Sequence, residues 1–497
     1  MKRILLLSLA CCAIGAGRVF ADPIAPPAAA PLTAAAAVSP SIAGLWTGKL
    51  PIGAGMTLRI AVKIKADPHG GLSSTLDSLD QGAMNIPIAS TTFQDNQLDL
   101  KVTAVDGEFK GALSNDGATL TGTWIQNGMT LPLILIRSEK EDIPTHSQEP
   151  APPFPYVVKD VSYPNAKAGI TLAGTLTKPF GPGPFPAVVL ITGSGPQDRD
   201  ELILGHKPFL VLADYLTRRG IAVLRADDRG AGKSTGIFAT ASTMDFADDT
   251  LAGVNYLKRR PDIDHGHIGL IGHSEGGIVA PLVANRSRDV AFIVLMAGPG
   301  LRGDQIVERQ SVLIQQAMGV PPGAITAAEK AQRQALDVVV TEKDPKVRTA
   351  KLRAILVKAT RSPAGQAELA RVNGGQPMPE TRVQSYIEQQ MQTLDTPWMR
   401  FFLTYDPLPA LKKVKCPVLA VAGSRDLQVP PKEDLDAIRA ALKAGGNRDF
   451  MVKELPGLNH LFQPGKTGAP SEYAGIDITL DLSALKVIGD WVVRHTR

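Results

Sequence analysis

The sequence predicts an α/β fold: a mainly parallel sheet sandwiched between helices and carrying a helical insertion, preceded by a small antiparallel β domain. Three observations predict it. Beyond about residue 156, continuous apolar runs alternate with helix-length segments, the pattern of strands buried on both faces. Between Gly300 and about Tyr405 only helical spacing occurs. Between Ser41 and Arg137 apolar residues instead alternate with polar ones, as in strands with one face inward. A chain of 497 residues, with 44% hydrophobic and 20% charged residues, is globular in composition and too long for one ordinary core.

The N-terminus reads MKRILLLSLACCAIGAGRVFADP. A short basic start, an apolar run from Ile4 to about Gly15 and a small residue, Ala21, before Asp22 predict a cleavable secretory signal over residues 1–21. The run is short of the ~20 residues that span a bilayer, so no transmembrane anchor is expected. Cys11 and Cys12 raise the rival of a lipid-modified cysteine, against which stand Ser8 and the very short preceding segment. The mature chain then keeps only Cys416, so no intrachain disulfide is expected and this thiol reads as a small core residue. Residues 22–40, rich in Ala and Pro, read as a linker.

In the β domain (residues 41–137), Leu58, Ile60, Val62 and Ile64 alternate with Arg59, Ala61, Lys63 and Lys65. Leu98, Leu100, Val102 and then Leu131, Leu133, Leu135 repeat the pattern, with turns at Asp106-Gly107 and Asn115-Asp116-Gly117. Gly44-Leu45-Trp46 and Gly122-Thr123-Trp124 form a matched pair of strand openings whose tryptophans are expected in the core. Residues 138–155 turn charged and then Pro-rich, which predicts a semi-rigid spacer. The α/β domain, residues 156–497, carries strand runs at Ala187–Ile191, Ile221–Leu224, Ile268–Ile271, Ala291–Met296 and Val418–Val421. Its helical cap occupies about 301–405, with Leu352, Ile355 and Leu356 on one face and Ile387, Met391 and Leu394 on another.

The chemistry centres on Gly272-His273-Ser274-Glu275-Gly276-Gly277, between the apolar run ending at Ile271 and the helix-like run beginning at Ile278. Strand, tight turn and helix are the setting of a nucleophile elbow, in which glycines two residues either side of the serine remove side chains that would collide. The turn exposes the Ser274 hydroxyl and leaves the Glu275 backbone N–H at the helix start, placed to stabilise an oxyanion. A second match, Gly232-Lys233-Ser234-Thr235-Gly236, lies in a polar loop with no apolar helix after it. Its overlap with a phosphate-binding loop fails because Asp227 stands where that motif needs glycine.

A serine needs an imidazole to take its proton, and the imidazole needs a carboxylate to fix its tautomer. On an elbow-bearing sheet the acid and then the histidine follow the serine in chain order. Asp426, after the Val418–Ala422 run, and His460, in Leu455-Pro456-Gly457-Leu458-Asn459-His460, meet that order, with Asp434 as the alternative acid. The loop Thr192-Gly193-Ser194-Gly195-Pro196 is expected to supply the second oxyanion donor, from Ser194 or otherwise Gly195, because Pro196 has no N–H. His265, His267, His273 and His495 read as structural, and Asp227, Asp228 and Arg229 as loop braces.

Together, Gly-Ser-Gly-Pro-Gln-Asp-Arg-Asp at 193–200, Asp228-Arg229-Gly230-Ala231-Gly232-Lys233-Ser234, the elbow, Gly-Ser-Arg-Asp at 423–426 and Leu-Pro-Gly-Leu-Asn-His at 455–460 resemble the α/β-hydrolase superfamily. Within it the likeness is to capped bacterial esterases related to serine aminopeptidases and prolyl oligopeptidases, and the β domain resembles the lipocalin-like modules ahead of some secreted hydrolases. The resemblance implies a carboxylesterase acting on small-molecule esters through an acyl-enzyme. A peptidase on the same triad is the alternative, and a non-catalytic binding protein a second. No metal or organic cofactor is expected. Lys and Arg total 53 against 48 Asp and Glu, and Lys2, Arg3 and Arg18 in the leader supply more than half of that small excess. The balance therefore gives no electrostatic reason for a nucleic-acid partner. The signal predicts an exported protein, periplasmic or secreted.

Overall fold

The computed structural model describes residues 42–497, apart from 54–55, 68–70, 80–82, 106, 127–128, 140–145 and 373–375. The secretory signal, the lipidation alternative at Cys11 and Cys12, and the Ala/Pro linker lie outside these residues.

The first unit is an antiparallel sheet of nine strands: β1 (Gly44–Gly53), β2 (Met56–Ala66), β3 (Leu72–Ser78), β4 (Ala83–Pro87), β5 (Ser90–Gln94), β6 (Gln97–Val102), β7 (Gly107–Leu113), β8 (Thr119–Gln126) and β9 (Met129–Ser138). Their order is β4-β3-β2-β1-β9-β8-β7-β6-β5. The sheet curls until its ends approach, with Thr91 Oγ1 donating to Ser74 Oγ at 3.0 Å and the Ile88 N–H to the Ser74 carbonyl at 3.1 Å. The alternation read from sequence is the reason for the curl, since only one face is apolar. Ile60, Val62, Ile64, Leu98, Leu100, Leu133 and Leu135 are buried with Trp46 and Trp124, whereas Ile134 and Ile136 point outward. Both tryptophans are core residues, as expected, and Trp46 Nε1 donates to the Ile42 carbonyl at 3.0 Å.

The second unit is an eight-stranded sheet ordered β10-β11-β13-β12-β14-β15-β16-β17. Its strands are β10 (Val157–Asn165), β11 (Ile170–Lys178), β12 (Phe185–Ile191), β13 (Ala222–Ala226), β14 (Ile263–His273), β15 (Val290–Met296), β16 (Val418–Gly423) and β17 (Phe450–Leu455). All neighbours from β13 to β17 are parallel, and β10 and β11 form an antiparallel flank. Two apolar layers cover it. On one face α2 (Thr243–Lys258), α3 (Gly276–Ala284) and α11 (Pro431–Ala444) contribute Leu257, Val279 and Leu442. On the other, α1 (Pro208–Thr217) and α12 (Leu482–Arg494) contribute Phe209, Leu216, Ile488 and Trp491. The central strands are therefore dry on both sides, which is why their sequences run apolar without alternation.

The described part of the cap contains helices and no strand: α4 (Gly303–Ala317), α5 (Pro322–Thr341), α6 (Pro345–Arg361), α7 (Pro363–Val372), α8 (Glu380–Leu394) and α9 (Pro397–Thr404), before α10 (Leu408–Lys413) returns the chain to the sheet. Its core, with Leu336, Leu352, Ile387 and Phe402, includes Ile278 of α3 and Val429, which follows Asp426. The cap thus shares one hydrophobic cluster with α3 and with the segment after β16.

The end of the spacer is not a bare connector. Gln148 Oε1 accepts the N–H groups of Thr479 and Leu480 at 2.8 and 2.9 Å while its Nε2 donates to the Leu480 carbonyl at 2.7 Å, and Lys207 pairs with Glu149 at 2.7 Å. His146 stacks on His206, with ring centroids 3.7 Å apart. Residues 146–149 are docked on the α/β unit, so that unit begins ahead of Tyr156.

Candidate active site

The parallel register lines up the strand ends. Ile191 of β12 sits beside Gly272 of β14, His273 beside Met296 of β15, Met296 beside Val421 of β16, and Gly423 beside Leu455 of β17. The loops that follow these strands carry Ser194, Ser274, Asp426 and His460, so one edge of the sheet gathers all of them.

Ser274 has φ of 52°, in the left-handed region that side chains avoid. Its N–H donates to the Met296 carbonyl and its carbonyl accepts from Gly277, which fixes the turn. A Cβ on Gly272 would lie 2.0 Å from the Gly276 carbonyl oxygen, and one on Gly276 2.3 Å from the Ile191 carbonyl oxygen. The collision inferred from sequence is real, and it involves main chain that cannot step aside. Ser274 itself remains half-buried. Glu275 is the N-cap of α3, so its N–H is among the amides that a helix start leaves without an intrahelical acceptor.

His460 Nδ1 lies 2.8 Å from Asp426 Oδ2, both residues being buried. Asp426 Oδ1 accepts the N–H groups of Gln428 and Val429 at 2.8 and 2.9 Å. A carboxylate held by two amides is oriented before it meets the imidazole. Asp434 is engaged elsewhere, its Oδ1 accepting the N–H groups of Gly300 and Leu301, where the chain enters the cap. Burial pushes its carboxyl up to about 7 against those two bonds. Asp434 thus ties α11 to the chain entering the cap.

In the loop after β12, the Gly193 N–H is taken by Glu201 Oε1 at 2.7 Å. Ser194 is half-buried, and Gly195 turns the loop with φ of 97°. A Cβ on Gly193 would lie 3.3 Å from Ser274 Cβ, which shows how closely this loop passes the elbow. Asp228 steadies the loop, accepting Thr192 Oγ1 at 2.8 Å and the Gln197 N–H at 2.9 Å, and burial raises its pKa well above the ordinary carboxylate range. Asp227 forms a two-pronged pair with Arg199, and Arg229 one with Asp249.

Ser234, the second serine of matching pattern, donates to the Asp227 carbonyl at 2.8 Å and accepts the Ala173 N–H at 2.9 Å, a buried structural clamp. His267 pairs with Asp264, His265 with the Arg260 carbonyl and His495 with the Trp491 carbonyl.

Two sets of side-chain contacts at the elbow were not legible in the sequence. His273, read there as structural, bridges Glu201 Oε1 at 2.9 Å and the His460 carbonyl at 3.1 Å. The Glu275 carboxyl, buried behind the elbow, accepts Thr243 Oγ1 at 2.6 Å and Trp398 Nε1 of α9 at 2.7 Å; its Oε2 has no hydrogen-bond partner among the described residues. Burial pushes its pKa up to about 7. Neither partner could be found by local spacing, because residues 201 and 398 reach the elbow from distant segments.

Residues 144–452, more than half of the chain, match the X-Pro dipeptidyl-peptidase (S15) family. The chain belongs to this family. The match starts two residues ahead of the docked segment at 146–149, so the S15 region includes it. Esterase EstD of Thermotoga maritima is 36% identical over 144 residues, which is 29% of this chain and 34% of that protein, so the S15 chain aligns with about a third of that relative's length. Among solved structures, the Pyrococcus furiosus esterase Pf2001 aligns with TM-score 0.42 at 15% identity over 69% of this chain and 92% of that one. Est1E of Butyrivibrio proteoclasticus, solved with ferulic acid, aligns with TM-score 0.36 at 18% identity over 67% and 96%.

Proposed function

We propose that this S15-family chain is a serine hydrolase that cleaves carboxylic esters through an acyl-enzyme. Ser274 is the nucleophile, His460 the base, Asp426 its orienting acid, and the N–H groups of Ser194 and Glu275 the oxyanion donors. The observation that carries the reading is the His460 Nδ1 to Asp426 Oδ2 bond beside an elbow that holds Ser274 at φ of 52°. With Nδ1–H committed to the carboxylate, Nε2 is left as the proton acceptor. Ser274 Oγ attacks the ester carbonyl carbon while Nε2 takes its proton, and the two amides stabilise the tetrahedral oxyanion. Collapse expels the alcohol, protonated by His460, and a water activated by the same nitrogen then releases the acid. These steps use only side chains, amides and water. The likeness to EstD supports an ester substrate.

Family membership favours a second reading, peptide cleavage after an X-Pro unit on the same residues. Ester and amide cleavage share the acyl-enzyme and differ in protonation of the leaving group. The test is fluorophosphonate labelling followed by a panel of aryl esters and X-Pro amides. Esters turned over with amides untouched support the first reading, and the reverse ranking supports the second. Ser274→Ala should abolish labelling; full labelling of that variant removes the assignment. We also read residues 1–21 as a secretory signal, supported by their basic start, apolar run and Ala21; a mature periplasmic or secreted protein beginning at Asp22 is the expected result of N-terminal sequencing.

A further inference from the structure

We propose that Glu201 and His273 form a buried carboxylate–imidazolium pair that positions the oxyanion loop, the nucleophile elbow and the loop of the base against one another. The inference rests on reading Ser274 and His460 as nucleophile and base. His273 precedes Ser274, and both of its ring nitrogens face acceptors: Nδ1 the Glu201 carboxylate at 2.9 Å, Nε2 the backbone carbonyl of His460 at 3.1 Å. A carbonyl oxygen has no proton to give, so Nε2 must carry one. Glu201 Oε1 already accepts the Gly193 N–H at 2.7 Å, and an ionised carboxylate can only accept, so an ionised Glu201 requires the other proton on Nδ1. In the proposed pair the ring is doubly protonated and its charge is answered by the Glu201 carboxylate.

The surroundings agree. Glu201 and His273 are 1% and 4% exposed, a depth at which a lone charge is costly and a matched pair survives. The His273 ring also lies 4.9 Å from the His460 ring and 6.4 Å from that of Phe462. Burial works against its charge, but the Glu201 carboxylate and its hydrogen bond, the His460 carbonyl and the Asp426 charge together outweigh it and raise its pKa. Glu201 itself has φ of 53°, so a buried acidic residue is held in a backbone region that side chains avoid. Three loops converge here. Glu201 fixes Gly193, the residue before Ser194; His273 belongs to the elbow; and its Nε2–H fixes the main chain that carries the base. Neither residue needs to touch substrate. The pair sets the distance and angle among groups that do.

Two measurements on the full chain test this. The first is ring-nitrogen NMR with 15N-histidine, in which the His273 signal is identified by its loss in His273→Gln. A ring protonated at both nitrogens up to pH 8 in the wild type, and at one nitrogen in Glu201→Gln, is the expected result. A wild-type ring protonated at one nitrogen at pH 6 overturns the pair, whatever the activity. The second compares Glu201→Gln with wild type. This isostere still offers Gly193 an acceptor oxygen but holds no charge. Its rate constant for fluorophosphonate labelling and its kcat for a small aryl ester should fall together by about 10- to 100-fold, the scale of a reacting group displaced by about 1 Å, with KM within about threefold. Unchanged labelling and kcat in Glu201→Gln overturn the positioning role. If the wild type takes up no probe, the nucleophile assignment falls instead, and the NMR result alone decides the pair.

Discussion

Asp426 gives one carboxylate oxygen to His460 Nδ1 at 2.8 Å, whereas Asp434, a short way along the same stretch, spends its Oδ1 on the amides of Gly300 and Leu301. The two acids are near in sequence and divided in purpose. Asp426→Asn should therefore lower kcat by about 10⁴-fold, since an amide can present a donor to Nδ1 and favour the wrong tautomer. Asp434→Asn should leave kcat within about tenfold. Steady-state turnover of one aryl ester by both variants checks the division, and an inactive Asp434→Asn with a near-normal Asp426→Asn would reverse it.

Ser274→Gly should be inactive yet more stable than Ser274→Ala. Both lose the hydroxyl, but only glycine relieves a backbone held at φ of 52°, a strain of about 1 kcal/mol. Thermal unfolding of the two variants reads this directly, the expected order being glycine above alanine by a few degrees. Equal midpoints would mean that the turn is not strained.

Glu275 and Asp434 give the stability a pH dependence of defined sign. Burial raises each pKa to about 7 in the folded state. Between the ordinary carboxylate range and pH 7 the native state therefore holds protons that the unfolded chain has lost, so these groups make stability fall as pH rises through that window and leave it flat above. Glu275→Gln removes one of these slopes. Its melting temperature relative to wild type should be higher at pH 8 than at pH 5. His206 acts in the opposite sense: burial and then its neighbour His146 lower its pKa to about 4, so stability is lost as pH falls from about 6.5 toward 4.

Trp398→Phe removes the 2.7 Å bond between α9 of the cap and the Glu275 carboxyl while keeping the ring stacked on Phe402. The expected outcome is a changed ranking of acyl chains, read as KM ratios across an ester series, with kcat for the smallest ester within about threefold of wild type. A uniform fall over all substrates would argue against the cap as the specificity element.

The docked spacer gives a prediction by truncation. A fragment of residues 146–497 should fold and turn over a small soluble ester near the full-chain rate, since Ser194, Ser274, Asp426 and His460 all lie within it. A fragment starting at 150 loses Gln148 and its three bonds to residues 479–480 and should melt lower. Inactivity of the folded longer fragment would show that the β domain completes the site.

The sheet, the cap and the serine, acid and base candidates were legible because each rests on a short local pattern: an apolar run ending in glycine, helical spacing without interruption, and a fixed chain order. The pairing of β10 with β11 was not, because β11 is almost wholly buried and shows no alternation to mark a half-exposed flank. The role of residues 146–149 escaped for another reason. Composition describes a Pro-rich stretch as a spacer, whereas a side chain that hydrogen-bonds main chain 332 residues away leaves no periodic trace. The same holds for the bonds of Glu201 to His273 and of Trp398 to the Glu275 carboxyl, which join distant segments.

The elbow glycines separate two kinds of invariance. A methyl group at 272, 276 or 277 lands within 2.0, 2.3 or 2.5 Å of backbone atoms, so those sites reject every other amino acid whether or not the enzyme needs to work. Ser274, between them, has room for replacements that fold and do nothing. A library selected only for soluble, folded protein would hold the glycines fixed and let the serine drift, and a library selected for turnover would hold all four. The difference between the two outcomes marks, at single-residue resolution, where the demands of architecture end and those of chemistry begin.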